Sequence, residues 1–174
     1  MKSTVTTEIE DKIDELLACL DKDSQYMQKN ISQLNKLRSL VIKRDDAGLG
    51  RLLEIIKTES NNYQKHESER HKIREKLANA FGCNAKQITL SALETTVPKE
   101  KKNQIKITKE KLMSLIIELK KEYLSTTLLL SECTRFNNKL LKSIFDFGKN
   151  EMVYYNSNGA TKRQTDTAFV NLQL

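Results

Sequence analysis

Apolar residues recur along most of this chain at alternating steps of three and four, the period of helices that bury one face. The longest unbroken run lies between Thr108 and Phe147. It comprises Leu112, Ile116, Leu119, Tyr123, Thr126, Leu130, Cys133, Asn137, Leu140, Ile144 and Phe147. Thr108 is placed to cap its start, because a threonine oxygen accepts a hydrogen bond from a free amide of the first turn. Gly148 is placed to end it through a left-handed residue. At a rise of ~1.5 Å per residue this element spans about 60 Å.

The same pattern predicts two earlier helices. Thr7 and Glu10 have capping-box spacing at the start of the first. Ile13, Leu20, Met27, Leu34 and Val41 then follow at heptad intervals, flanked by Ile9, Leu16, Leu17, Ile31 and Leu37. Polar residues occupy the other face up to a stop near Lys43. Asp45 or Asp46 is the expected cap of the second helix, its carboxylate suiting the positive end of the helix dipole. That helix reads Leu49, Leu52, Ile56, Glu59, Tyr63, His66, Arg70, Ile73, Leu77 and Ala80. Its middle is polar. Glu59, His66 and Arg70 are therefore expected to snorkel or to lie uncovered, with the best packing near the two ends.

Phe81-Gly-Cys-Asn84 is a stop signal. Residues 88–94 predict a short helix capped by Thr89, with Leu90 and Leu93 facing inward. Pro98 and the lysines after it read as a mobile connection. The expected fold is all-α: an elongated antiparallel three-helix bundle or coiled coil, with a short extra helix between helices 2 and 3 and a flexible C-terminal tail. The expected bounds are 7–43, 46–81 and 108–147 for the long helices. The bundle would occupy 1–148 and the tail 149–174, with the tail available to a partner. Asn137, polar on an apolar seam, is expected to fix register at some cost in stability.

Composition supports long helices. Among 174 residues there are five Gly, one Pro and no Trp, with 38% hydrophobic and 30% charged. No apolar run is long enough for a membrane span and the first residues lack a secretion signal, so membrane insertion is not expected and the location is read as cytoplasmic. Cys19, Cys83 and Cys133 are far apart and lack metal-binding spacing, and the two in helical segments read as small core hydrophobes. The net charge of +7 is modest. Much of it gathers at Lys99, Lys101, Lys102, Lys106, Lys109 and Lys111, read as a solvated segment because no arginine stripe or nucleic-acid motif accompanies it.

Little catalytic chemistry is visible. His66 and His71 are five apart and so diverge around a helix, unlike the four-apart pair of a zinc-protease motif; both read as surface histidines. There is no phosphate loop, serine elbow or paired-cysteine motif. The expectation is a protein without enzyme activity, cofactor or metal, and without a nucleic-acid partner.

The last long helix carries more apolar surface than one seam requires: Leu115, Ile117, Leu124, Leu128, Leu129, Phe136, Leu141 and Phe145 lie outside the main row. Contact with two neighbouring helices explains such width; so does a face for a client helix. Phe136, Phe145, Phe147, Tyr154, Tyr155 and Phe169 place most of the aromatic residues at this end, and aromatic anchors dominate interface energetics. The tail is too polar to fold alone, apart from the apolar burst Ala168-Phe-Val-Asn-Leu-Gln-Leu174.

The order of several short features resembles the FlgN family of flagellar export chaperones. After the long opening helix comes the acidic break and leucine-rich helix start Arg44-Asp-Asp-Ala-Gly-Leu-Gly-Arg-Leu-Leu53. Arg70-His-Lys-Ile-Arg-Glu-Lys-Leu77 then leads to a glycine break and to Thr89-Leu-Ser-Ala-Leu93. The final helix carries Asn137-Asn-Lys-Leu-Leu141, and Tyr155-Asn-Ser-Asn-Gly159 opens the tail. The lysine-rich segment before the third helix and the apolar C-terminus depart from the pattern. The resemblance implies a cytoplasmic type III export chaperone. Such a protein binds hook–filament junction (hook-associated) proteins through their C-terminal helices, keeps them monomeric and delivers them to the flagellar export apparatus. Carried onto this chain, the partner-binding residues are Leu130, Phe136, Leu140, Leu141, Ile144, Phe145 and Phe147, with Tyr154 and Tyr155. The alternative is a structural coiled-coil or adaptor protein that self-associates, a homodimer for example, without a secreted client.

Overall fold

The computed structural model describes residues 2–147, 151–155 and 161–165, and side chains over 9–99 and 101–145. The described residues are overwhelmingly helical. Helix α1 spans Lys2–Lys43, α2 Asp46–Phe81, α3 Leu90–Thr96 and α4 Lys99–Phe147, with a single 3-10 turn at Ala85–Gln87. Strands β1 (Glu151–Tyr155) and β2 (Thr161–Thr165) pair antiparallel, Val153 opposite Arg163. Within the stretch read as a flexible tail, these ten positions form a ladder of main-chain hydrogen bonds, which needs no apolar core of its own. The chain divides into two compact units, Met1–Thr126 and Thr127–Leu174, with the boundary inside α4.

Within the first unit, α1 and α2 form an antiparallel hairpin. Lys43 ends α1 as the sequence predicts, Arg44 turns the chain in a left-handed conformation (φ 55°), and the Asp45 carboxylate caps α2 by accepting from the Gly48 amide at 2.8 Å. At the far end Gly82 adopts φ 67°, its amide donating to the Ala78 and Asn79 carbonyls. The expected Thr89 cap is present, with its hydroxyl accepting from the Ala92 amide at 3.1 Å.

Two expected helix starts are wrong. α1 already runs from Lys2, so Thr7 lies inside it. α4 begins at Lys99 rather than at Thr108, and the segment read as a mobile connection is its first turns. The Pro98 carbonyl accepts from the Lys102 amide at 3.1 Å, which opens the helix where proline's missing N–H costs nothing. Ile105 then anchors those turns, fully buried, seven residues ahead of Leu112.

The apolar core sits at one end of this unit. Ile13 and Leu16 from α1, Leu77 and Ala78 from α2, Ile88, Leu93 from α3 and Ile105 from α4 form one buried cluster. Phe81, Cys83, Leu90 and Val97 pack against its edge. As expected of the two ends of α2, Leu77 and Ala78 are buried at this end and Leu52 at the other, where Leu53 and Ile55 lie outside the predicted row and are exposed.

Polar residues cover the middle of the hairpin. Asp23, 1% exposed, receives the Arg70 guanidinium, and its other oxygen accepts from His66 Nε2 at 3.1 Å. His66 is therefore buried, contrary to its reading as a surface histidine, whereas His71 is exposed beside Glu75. The His66 ring lies 5.5 Å from Tyr26, and Tyr26 meets Tyr63 edge-on at 5.2 Å. With Nε2–H given to Asp23, Nδ1 faces the Cys19 sulfur at 3.8 Å, and burial pushes the Cys19 thiol pKa up. Farther along, Glu59 accepts from Gln33 at 2.7 Å and pairs with Lys29 at 2.7 Å. The polar residues expected to lie uncovered on α2 are thus matched by polar residues of α1, which meets the rule that buried polar groups must be bonded.

Candidate partner-binding surface

The first part of α4 is tied to α1 mainly by charged side chains. Lys101 reaches Asp14, Lys111 pairs with Asp21 at 2.9 Å, and Arg38 of α1 clasps Glu122. Numbers rise together along the two helices, so this stretch of α4 runs parallel to α1. Lys109 adds a bond to Glu94 of α3 at 3.6 Å. Half of the lysine-rich stretch read as a solvated segment therefore contributes to tertiary structure. The hydrogen bond from Lys111 holds the Asp21 carboxyl below its usual range. Arg38 donates in addition to the Glu122 carbonyl at 3.0 Å and to the Thr126 hydroxyl at 2.9 Å. A guanidinium suits this task because its fixed fork serves several acceptors at once.

These contacts select which edge of α4 turns inward. Ile105, Leu112, Leu115 and Thr126 are buried, with Leu119 and Glu122 half-buried. The predicted row, with Ile116 and Tyr123 inside, is displaced by one residue at two positions. Both are exposed, and Met113, Ile117 and Leu124 stand beside them on the outside. At the first position, Leu115–Ile116 is an adjacent apolar pair that periodicity alone cannot orient. Glu122 enters the inner edge only because Arg38 neutralises it.

Between α1, α2 and this part of α4 lies an open groove of about 600 Å³. Leu34, Ile56, Leu119, Tyr123 and Leu124 make it almost wholly apolar, and Lys120 is the one charged residue among those lining it. The groove escaped the sequence reading. Its signal was Ile56 and Leu119, each on its expected seam yet with too few apolar partners opposite: Asn30 and Gln33 flank Leu34 on α1.

In the second unit, six of the predicted partner-binding residues are described, and all are exposed: Leu130, Phe136, Leu140, Leu141, Ile144 and Phe145. Leu128 is exposed as well. They are distributed around α4 rather than confined to one stripe. Asn137, expected on an apolar seam, is also exposed among the described residues. Phe147 is the last residue of α4, and Tyr154 and Tyr155 lie in β1 opposite Lys162 and Thr161. The side chains of these three are outside the described residues.

Exposed Leu, Ile and Phe side chains leave apolar area open along this part of α4. Among the described residues no group of three His, Cys, Asp or Glu is placed to hold a metal ion, and no helix is long and apolar enough to cross a membrane. Comparison with known proteins returned no matching family model, no matching curated protein and no matching solved structure.

Proposed function

We propose that this chain is a cytoplasmic export chaperone for hook–filament junction proteins, binding their C-terminal helices along α4 and keeping them monomeric for the flagellar type III export apparatus. In this reading α1, α2 and α4 make up an elongated three-helix bundle, with α4 as the rod that receives the client. The antiparallel α1–α2 hairpin and the three ion pairs between α1 and α4 support that arrangement. The observation that carries the function is the exposure of large apolar residues along α4 from Leu130 to Phe145, where Phe145 is 60% exposed. Amphipathic client helices need such a surface, since their own apolar faces aggregate when uncovered. The order of sequence features shared with the FlgN family points the same way.

The test is a titration of the full chain with the C-terminal helical segment of a junction protein, followed by light scattering for mass and fluorescence anisotropy for affinity. A one-to-one complex with a micromolar or tighter Kd is expected. Exchanging both Phe136 and Phe145 for alanine should weaken it by about tenfold or more, since exposed aromatics act as anchors. Absence of a complex at micromolar concentrations would sink the proposal. The second reading, a self-associating coiled-coil or adaptor protein, draws on the same exposed residues. A stable dimer that ignores the junction segment would favour it.

A further inference from the structure

We infer that the groove over Leu34, Ile56, Leu119, Tyr123 and Leu124 is a separate seat for one helix of a partner protein, an amphipathic helix whose apolar row is flanked by carboxylates. This rests on the reading of the chain as a binder of client helices, and adds a location and a charge rule to it.

The location follows from packing. The groove lies within the first unit, and neither of the aromatic residues Phe136 and Phe145 lines it. Its floor is apolar on three helices, and its volume of about 600 Å³ is in the range of pre-formed ligand sites. Met113, Ile117 and Leu124 recur on α4 at steps of four and seven, the spacing a facing helix needs for interlocking side chains. That stretch covers about three turns, so a partner segment of about 12 to 18 residues suffices.

Charge selects the occupant. Lys120 lines the groove, Lys121 follows it, and no carboxylate shares the lining. The acidic neighbour Glu122 is already committed to Arg38. A second copy of this chain, laid on the groove by a two-fold axis, would bring the two Lys120 ammonium groups together, and like charges at an interface penalise pairing. A foreign helix with Glu or Asp beside its apolar row meets Lys120 with the opposite charge and fills the floor with Leu or Ile.

The experiment uses a labelled synthetic peptide of about 18 residues, with leucine on one helical face and glutamate on its flanks, and a twin with lysine on the flanks. Both are titrated into the full chain and into its Leu124→Glu and Lys120→Glu variants. Leu124 is 67% exposed and Lys120 is exposed, so both variants should keep the wild-type circular dichroism and Tm. The glutamate peptide should bind about tenfold or more tightly than its twin, Leu124→Glu should weaken it by at least about tenfold, and Lys120→Glu should reverse the preference between the two. Equal binding of the twins, or binding indifferent to both variants, overturns the inference. So does a dimer of the chain alone that Leu124→Glu dissolves. The junction-protein segment in the same titration separates the two readings. If it binds wild type and both variants alike while the glutamate peptide is also indifferent to both variants, the groove inference fails and the client reading stands. If it does not bind while the glutamate peptide does so through Leu124 and Lys120, the client reading fails and the groove stands.

Discussion

Replacing Arg70 with leucine should destabilise the fold by about 3–5 kcal/mol, because it strands a carboxylate that water does not reach. Asp23 is 1% exposed and holds two partners from α2, the Arg70 guanidinium and His66. Removal of the guanidinium leaves the carboxylate with a single bond to the imidazole. Arg70 itself shows the balance of forces at this point. Burial works against its charge, yet the hydrogen bond and the attraction of Asp23 outweigh that, and its pKa is raised. It stays protonated throughout the working range, so the loss on mutation should not depend on titration of the arginine. Replacing Asp23 and Arg70 together with leucine should restore most of the stability, since a buried pair exchanged for apolar residues is often nearly neutral. Urea denaturation of the two single variants and the double variant measures this coupling. A cost for Arg70→Leu below about 1 kcal/mol, or a double variant as unstable as the sum of the singles, would contradict the account of this cluster.

Leu77→Ala should cost about 2–5 kcal/mol, the range for a large-to-small change in a packed core. Leu77 is 0% exposed and stands where α1, α2, α3 and α4 converge, among Ile13, Leu16, Leu93 and Ile105. A cavity there is bounded by four helices and cannot collapse easily. The matched control is Leu124→Ala, the same chemical change on the exposed face of α4, with an expected effect within about 0.5 kcal/mol. Thermal or urea unfolding of the pair distinguishes a core confined to one end from one distributed along the helices. Similar losses in both variants would show that Leu124 is packed in solution, and the apolar face of α4 would then be covered within the molecule itself.

Much of this organisation was legible in the residues, and the exceptions have specific causes. Asp45, Gly82 and Thr89 were readable because each supplies a cap that the backbone needs at that position. Thr7 and Thr108 have the same chemistry but sit inside helices, since a threonine does not stop a helix whose preceding residues can also form one. Lys99–Ile107 looked like a connection because its lysines dominate and Ile105 is its main buried anchor. Spacing alone contained the hint, as Ile105 continues the row of Leu112 and Leu119 backward. The buried side of α2 was harder to foresee. Glu59, His66 and Arg70 look misplaced on a seam until Lys29, Gln33 and Asp23 are set opposite them, and that pairing depends on helix register, which one helix does not reveal. The apolar excess and aromatic content of α4 were visible in the residues themselves. The groove beside Ile56 was not, because an empty space leaves its trace only in what two other helices lack.

The central claim is that α4 presents its apolar face to a client helix. Amide hydrogen exchange along α4, measured with and without the C-terminal helical segment of a junction protein, tests it most directly, because a helix with little packed on it opens readily and becomes protected when covered. In the free chain, amides from Leu130 to Phe145 should exchange faster than those around Leu77. On saturation with the segment they should slow by about tenfold or more, while the core around Leu77 stays unchanged. Slow exchange over Leu130–Phe145 in the free monomer, with no further change when the segment is added, would contradict the claim.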